Sequence, residues 1–333
     1  MSIFSNDPLQ IIVFQSYGTK NKLYVRGRAL EDEKISLESR NIFKILLNTW
    51  KRFESDEIKH TELIVTLPNH QKIKTTTDKD GYFLVDEKID GLQRLATSKG
   101  WLHFEVSYAN TKINKIISKE NKFKGALLIP SKDADFGVIS DIDDTILHTG
   151  VVSLLKWRLL VNTFFKSPYK RKALEGTSNF YNLLYVGNSG ENANPFFYVS
   201  HSPWNMYRYL TYFLKKNKFP KGAILLRDMS SIFSKKKGEK PQKQKEIINI
   251  LNTYPDLSFI LIGDAGEKDA EIYMETVAQF PNRIKAIYLR SVAKSKNNIR
   301  IKNLIKNYTD TEFLLVNNSD EAIAHAKKHK FIT

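Results

Sequence analysis

From residue 132 to its end the chain alternates apolar β-branched runs with amphipathic helical patterns, and that alternation leaves few folds open. The runs lie at 136–140, 196–200, 223–227, 258–263, 284–289 and 313–316, and the helical patterns at 205–217, 242–253, 268–280 and 320–328. Strands separated by helices pair side by side in parallel, so the expectation is a mostly parallel, doubly wound α/β sheet. Ligands of such sheets bind outside the carboxyl ends of the strands, which says which loops must meet.

The first run ends in chemistry. Residues 138–145 read Val-Ile-Ser-Asp-Ile-Asp-Asp-Thr. On an extended strand alternate side chains share a face, so Asp141, Asp143 and Thr145 are expected on one side. Two carboxylates this close need a cation or a strong set of donors if both are to stay ionised. Mg²⁺ suits them, being a hard ion that takes one or two carboxylates plus water and a substrate phosphate. A carboxylate is also a competent nucleophile on phosphorus. Asp141 is assigned that role, and Asp143 that of the acid and base that serves the leaving group and then the attacking water. The plain alternative is an acidic strand end that caps the next turn.

Three further polar clusters fall at the same predicted edge. The run at 196–200 leads into Ser200-His201-Ser202-Pro203-Trp204-Asn205, and the run at 258–263 into Gly263-Asp264-Ala265-Gly266-Glu267-Lys268-Asp269. Lys243 opens a helix whose Ile247, Ile250 and Leu251 face the sheet. Taken singly, Ser200 could cap a helix, and Asp264 and Asp269 could be a cap and a first-turn acid.

Ahead of this region, residues 1–131 read as a β-rich, sandwich-like domain, with 132–333 forming the α/β domain. Strands are expected at 9–14, 22–26, 62–67, 72–77, 82–85, 102–108 and 125–129, with one helix carrying Ile42, Phe43, Leu46, Leu47 and Trp50. The string Asp78-x-Asp80-Gly81 lacks the remaining ligands of a calcium loop and is expected to turn a hairpin.

With 333 residues, 41% apolar and 26% charged, the chain has room for two cores and no sign of bulk disorder. It has no cysteine, which excludes disulfides and thiolate metal sites. Neither a signal peptide nor an apolar stretch long enough to span a bilayer is visible, so a cytoplasmic protein is expected. The net charge of +16 would attract phosphates, nucleic acid or an anionic membrane, although a lysine-rich composition alone also accounts for it.

The four clusters in chain order resemble the haloacid dehalogenase (HAD) superfamily of phosphatases. The match is Asp141-x-Asp143-x-Thr145, then Ser200, then Lys243, then Gly263-Asp264-x4-Asp269. More narrowly, Ser200-x-Ser202-Pro203-Trp204-Asn205, Leu226-Arg227-Asp228 and Ile262-Gly263-Asp264-x-Gly266-x2-Asp269-x-Glu271-Ile272-Tyr273 resemble the catalytic domain of the actin-patch-protein type of phosphatidate phosphatase. The amino-terminal part is similar to the β domain that often precedes it, through Tyr17-Gly18-Thr19, Gly27-Arg28 and Thr77-Asp78-x2-Gly81-Tyr82-Phe83.

The resemblance implies a HAD-like fold and Mg²⁺-dependent hydrolysis of phosphatidate to diacylglycerol and phosphate through an aspartyl-phosphate. It implies catalytic roles for Asp141, Asp143, Thr145, Ser200 and Lys243. Metal ligation falls to Asp141, Asp143, Asp264 and Asp269, and substrate contact to His201, Ser202 and Arg227. Two positions depart from the family pattern: Gln242 stands where histidine is common, and His201 where asparagine is.

The span 146–194 is longer than a plain crossover and is expected to form a flap or small cap. Between residues 151 and 175 six basic side chains (Lys156, Arg158, Lys166, Lys170, Arg171 and Lys172) accompany one acid, Glu175, among Leu, Trp and Phe. That mixture suits peripheral contact with an anionic membrane, and equally a helix laid on the core with solvated lysines outside. Two other functions stay open: a phosphatase on a soluble or nucleic-acid phosphomonoester, although no nucleic-acid partner is expected, and a non-catalytic membrane-associated adaptor.

Overall fold

A computed structural model of the chain describes residues 7–31, 57–111, 115–142, 145–146, 168–188, 193–227, 240–265, 268–291 and 296–333, without the side chains of 168–174, 205, 296 and 297. It divides into two compact units, Met1–Pro130 and Ser131–Thr333.

The first unit holds β1 (Leu9–Val13), β2 (Ser16–Thr19), β3 (Lys22–Glu31), β4 (Glu62–Thr66), β5 (Lys72–Thr76), β6 (Tyr82–Lys88), the short helix α1 (Leu92–Leu95), β7 (Trp101–Tyr108) and β8 (Phe123–Leu128). The strands form one hydrogen-bonded network in the order β1-β3-β2-β8-β7-β4-β5, with β6 paired to β3. Alternate positions of β3 are buried, Leu23, Val25 and Ala29 among them, and they meet Leu63, Val65, Phe83, Phe104 and Leu127 in a common core. Such period-two burial is what a sheet with one wet face imposes.

The expected turn at Asp78-x-Asp80-Gly81 is present, but it does not make a hairpin. The Asp78 carboxylate accepts from the backbone N–H groups of Asp80 and Tyr82, both at 2.8 Å, and Gly81 takes a positive φ of 75°. After the turn β6 pairs antiparallel with β3, and among the described residues no ladder joins it to β5. The helix expected around Ile42 to Trp50 lies outside the described residues.

The second unit contains β9 (Gly137–Asp141), α2 (Pro168–Val186), β10 (Phe196–Pro203), α3 (Tyr207–Lys216), β11 (Ala223–Arg227), α4 (Gln242–Thr253), β12 (Phe259–Asp264), α5 (Asp269–Gln279), β13 (Ile284–Arg290), α6 (Lys296–Ile305), β14 (Glu312–Val316) and α7 (Ser319–Lys328). Its six strands are all parallel, in the order β11-β10-β9-β12-β13-β14. The chain starts in the middle of the sheet, winds outward through β10 and β11, then crosses back to wind outward through β12 to β14. The reversal falls between β9 and β12, both buried along their whole length.

Of the span expected to be a flap, 168–186 is the helix α2. Its Phe180, Tyr181 and Leu184 are buried, and Tyr181 lies against Phe196 and Phe219 at ring-centroid distances of 5.7 and 5.3 Å. This half of the span is the crossover helix between β9 and β10, held by aromatic burial. Residues 147–167 lie outside the described residues. No helix among the described residues is long and apolar enough to cross a membrane.

Candidate active site

The switch point at β9 and β12 is where the carboxylates collect. Ile262 of β12 is level with Ser140 of β9, and Val199 of β10 is level with Asp141. Asp141 and Asp264, the last residues of their strands, therefore emerge side by side, with Ser200 one step beyond Val199. Asp141, Asp264 and Asp269 are each inaccessible to solvent, and a carboxylate oxygen from each lies within 4.8 Å of the others.

Lys243, 1% exposed in the first turn of α4, reaches into this group. Its Nζ lies 3.0 Å from Asp141 Oδ1 and donates to Asp269 Oδ1 at 2.6 Å. Ile247, Ile250 and Leu251, one or two turns on, are buried and fix the helix on the sheet. The second oxygen of Asp269 accepts from the backbone N–H of Asp264 at 3.3 Å, so this carboxylate ties α5 to the end of β12. Room for it exists because residue 263 is glycine: a Cβ there would stand 2.3 Å from Asp269 Oδ2.

Thr145 joins the site by a different route from the one its spacing suggests. The strand ends at Asp141, and the chain turns so that Ile146 N–H donates to Ile142 O at 3.1 Å, with Ile142 and Ile146 buried beneath. This folds Thr145 Oγ1 back onto Asp141 Oδ2 at 3.3 Å. Strand alternation is thus not what brings the two together. Arg290, at the end of β13 and level with Asp264, donates to Thr145 O at 3.2 Å and secures the turn. Asp143 lies outside the described residues.

Below the site a hydrogen-bond relay fixes the strand end. Ser140 Oγ donates to Asp141 O at 2.7 Å, so its one proton is spent, and Tyr181 Oη at 2.7 Å must be the donor to Ser140 Oγ. Burial raises the Tyr181 phenol far above its ordinary value, which keeps that proton in place. Tyr273 Oη donates to Ile262 O at 2.9 Å and closes the wall beneath Gly263.

Ser200 and Ser202 are buried at the end of β10, where Ser202 N–H donates to Ser200 Oγ at 2.9 Å. His201 between them is half-buried, and Arg227 ends the edge strand β11, two strands away from Asp141. At the first departure from the family pattern, Gln242 donates to Glu246 along its own helix at 2.8 Å.

Sequence reasoning left out Ser140, Tyr181 and the supporting role of Arg290. The first two meet only when α2 lies on the sheet, and Arg290 reaches Thr145 only through the β12–β13 register. Chemically, three buried carboxylates gathered round one buried ammonium, counted among the described residues, form a group that a further cation would stabilise. All of the donors are hard oxygens, and these suit Mg²⁺.

A family model described as phosphatidate phosphatase APP1, catalytic domain, matches residues 136–291. Phosphatidate phosphatase APP1 of Saccharomyces cerevisiae is 37% identical over 165 residues, 49% of this chain and 27% of that protein. An uncharacterized protein of Schizosaccharomyces pombe is 28% identical over 234 residues, 66% of this chain and 35% of its own length. The chain thus spans about a third or less of the curated relatives it matches. A solved structure of DsGPDH from Dunaliella salina shares 15% identity at a TM-score of 0.31, covering 58% of this chain and 36% of that one, a likeness too slight to carry a fold assignment.

Proposed function

We propose, from the match of residues 136–291 to the family model of the phosphatidate phosphatase APP1 catalytic domain, that this chain is a phosphoric monoester hydrolase converting phosphatidate to diacylglycerol and phosphate. The observation that carries the reading is the buried group of Asp141, Asp264 and Asp269 around Lys243 at the switch point of a parallel sheet. A HAD-like assignment of the second unit accords with the strand order and with this set of side chains.

In the mechanism inferred here Asp141 attacks phosphorus, the bond from its carboxylate oxygen forms, and the bond from phosphorus to the glycerol oxygen breaks. Asp143 gives its proton to that departing oxygen and then takes one from the water that cleaves the aspartyl-phosphate. Thr145 and Lys243 hold the two oxygens of Asp141, so the nucleophile keeps one orientation. Lys243 also offsets charge building on the phosphoryl oxygens. Ser200, steadied by the N–H of Ser202, is placed to donate to one of them. Arg227, His201 and Ser202 line the β10–β11 side, where the rest of the headgroup would lie.

Asp141, Asp143 and Asp264 would hold Mg²⁺. Both oxygens of Asp269 accept hydrogen bonds, and we assign it the task of orienting Lys243 and the end of β12. Bound Mg²⁺ supplies Lewis-acid polarisation of the phosphoryl group.

Substrate class is tested by comparing phosphate release from phosphatidate in mixed micelles with release from a water-soluble phosphomonoester in the absence of lipid. Preference for the micellar lipid is the expected result. Equal or better turnover of the soluble ester would keep the chemistry and reject the lipid.

A further inference from the structure

We propose a second metal site, for a transition-metal dication such as Zn²⁺, formed by Glu312, His325 and His329 where the end of α7 meets the start of β14. One ligand atom from each of the three lies within 4.8 Å of the others. Mg²⁺ at the catalytic carboxylates leaves this trio unused.

The geometry follows from the helix. His325 and His329 are four residues apart and share one face, and the backbone bond from His329 N–H to His325 O at 3.0 Å continues the helical turn to the second histidine. Their rings lie 4.1 Å apart between centroids. Glu312, first residue of β14, brings Oε2 to 3.3 Å from His325 Nε2. That matches the roughly 3.3 Å between two ligands of a tetrahedral ion whose bonds are about 2.0–2.1 Å. His329 is half-buried and completes the set by turning its imidazole out of the stack. Water takes the fourth position.

The other nitrogen of His325 is already engaged. Its Nδ1 lies 2.9 Å from the hydroxyl of Tyr288, a buried residue of β13. Ligation through Nε2 requires the proton on Nδ1, and the phenol oxygen is there to accept it. Metal-bound histidines characteristically have such an outer partner. A mixed imidazole and carboxylate set selects Zn²⁺ and its neighbours over Mg²⁺, which prefers oxygen alone. Lys328 nearby opposes the binding of any cation, which makes the ligands themselves decisive.

The bland alternative is a Glu312–His325 hydrogen bond that closes the edge of the sheet and binds nothing. Zn²⁺ titration of the tag-free full chain in saturating Mg²⁺, read by competition with a chromophoric chelator, separates the two. The proposal expects one tightly held Zn²⁺ in the wild type and at least a ten-fold weaker affinity in His329→Ala, a substitution at a half-exposed position. Tyr288→Phe should weaken it about ten-fold while leaving every ligand in place. Asp264→Asn, at the catalytic edge, should bind like the wild type. Absence of tight Zn²⁺ in the wild type, or equal affinity in His329→Ala, would overturn the site, as would loss in Asp264→Asn alone.

Discussion

Lys243 and Asp141, carried by different elements and both removed from water, meet at 3.0 Å. No solvent shares the burden of either charge. Replacing Lys243 with Met leaves Asp141 and Asp269 facing each other without the ammonium. Breaking a buried ion pair from one side costs about 3–5 kcal/mol, and loss of a charge-stabilising donor costs about 10²-fold or more in turnover. Urea unfolding and phosphate release from the same preparation check the two effects.

Gly263 is the residue that lets Asp269 approach β12. In Gly263→Ala the new methyl would stand 2.3 Å from Asp269 Oδ2 and 2.9 Å from Tyr273 Oη. Overpacking of this kind costs about 1–3 kcal/mol. A displacement of the orienting carboxylate by even about 1 Å is expected to lower turnover about 10²-fold. A variant that melts slightly early yet has lost most of its activity is the expected outcome of paired thermal and kinetic measurements.

Tyr181 steadies Asp141, the proposed nucleophile, from below. Tyr181→Phe removes the donor to Ser140 Oγ and leaves the bond from Ser140 to Asp141 O. The loss should be about 1 kcal/mol, the worth of one buried hydrogen bond. Turnover should fall only a few-fold, because Lys243 and Thr145 still hold the carboxylate. Denaturant midpoints and kcat for the variant provide the check.

Alkaline pH should unfold the second unit steeply. Tyr181, Tyr198, Tyr209 and Tyr273 are fully or almost fully buried, and desolvation raises each phenol above its ordinary value of 10.0. Above that pH the unfolded chain releases these protons while the folded chain retains them. The stability is therefore complete below about pH 10 and falls as pH rises, by up to about 1.4 kcal/mol per pH unit for each phenol. Urea unfolding at pH 9 and pH 11, with a further rise in tyrosinate absorbance accompanying unfolding at the higher value, tests the slope.

Much of this was legible in the chain itself. The runs from 196, 223, 258 and 284 are nearly continuous in apolar residues, as strands buried on both faces must be, and each is a strand here. Other elements gave weaker signals. β2, Ser16–Thr19, is four residues with a glycine, and α6, Lys296–Ile305, is so rich in Lys and Asn that its apolar stripe is thin. Strand alternation is not what brings Thr145 to Asp141, because β9 stops at Asp141. At the site, the residue types at Asp141, Lys243 and Asp264 were readable from spacing. The contacts of Ser140 with Tyr181, of Arg290 with Thr145 and of Glu312 with His325 were not, since each depends on register or on how a helix is laid on the sheet.

Asp141 is the proposed nucleophile of a Mg²⁺-dependent phosphatidate hydrolysis. Phosphate release from phosphatidate in mixed micelles, measured for the wild type and for Asp141→Asn with and without Mg²⁺, tests it most directly. Release by the wild type is expected to stop when Mg²⁺ is removed and to be abolished by the substitution. Equal release by Asp141→Asn, or release indifferent to Mg²⁺, would contradict it.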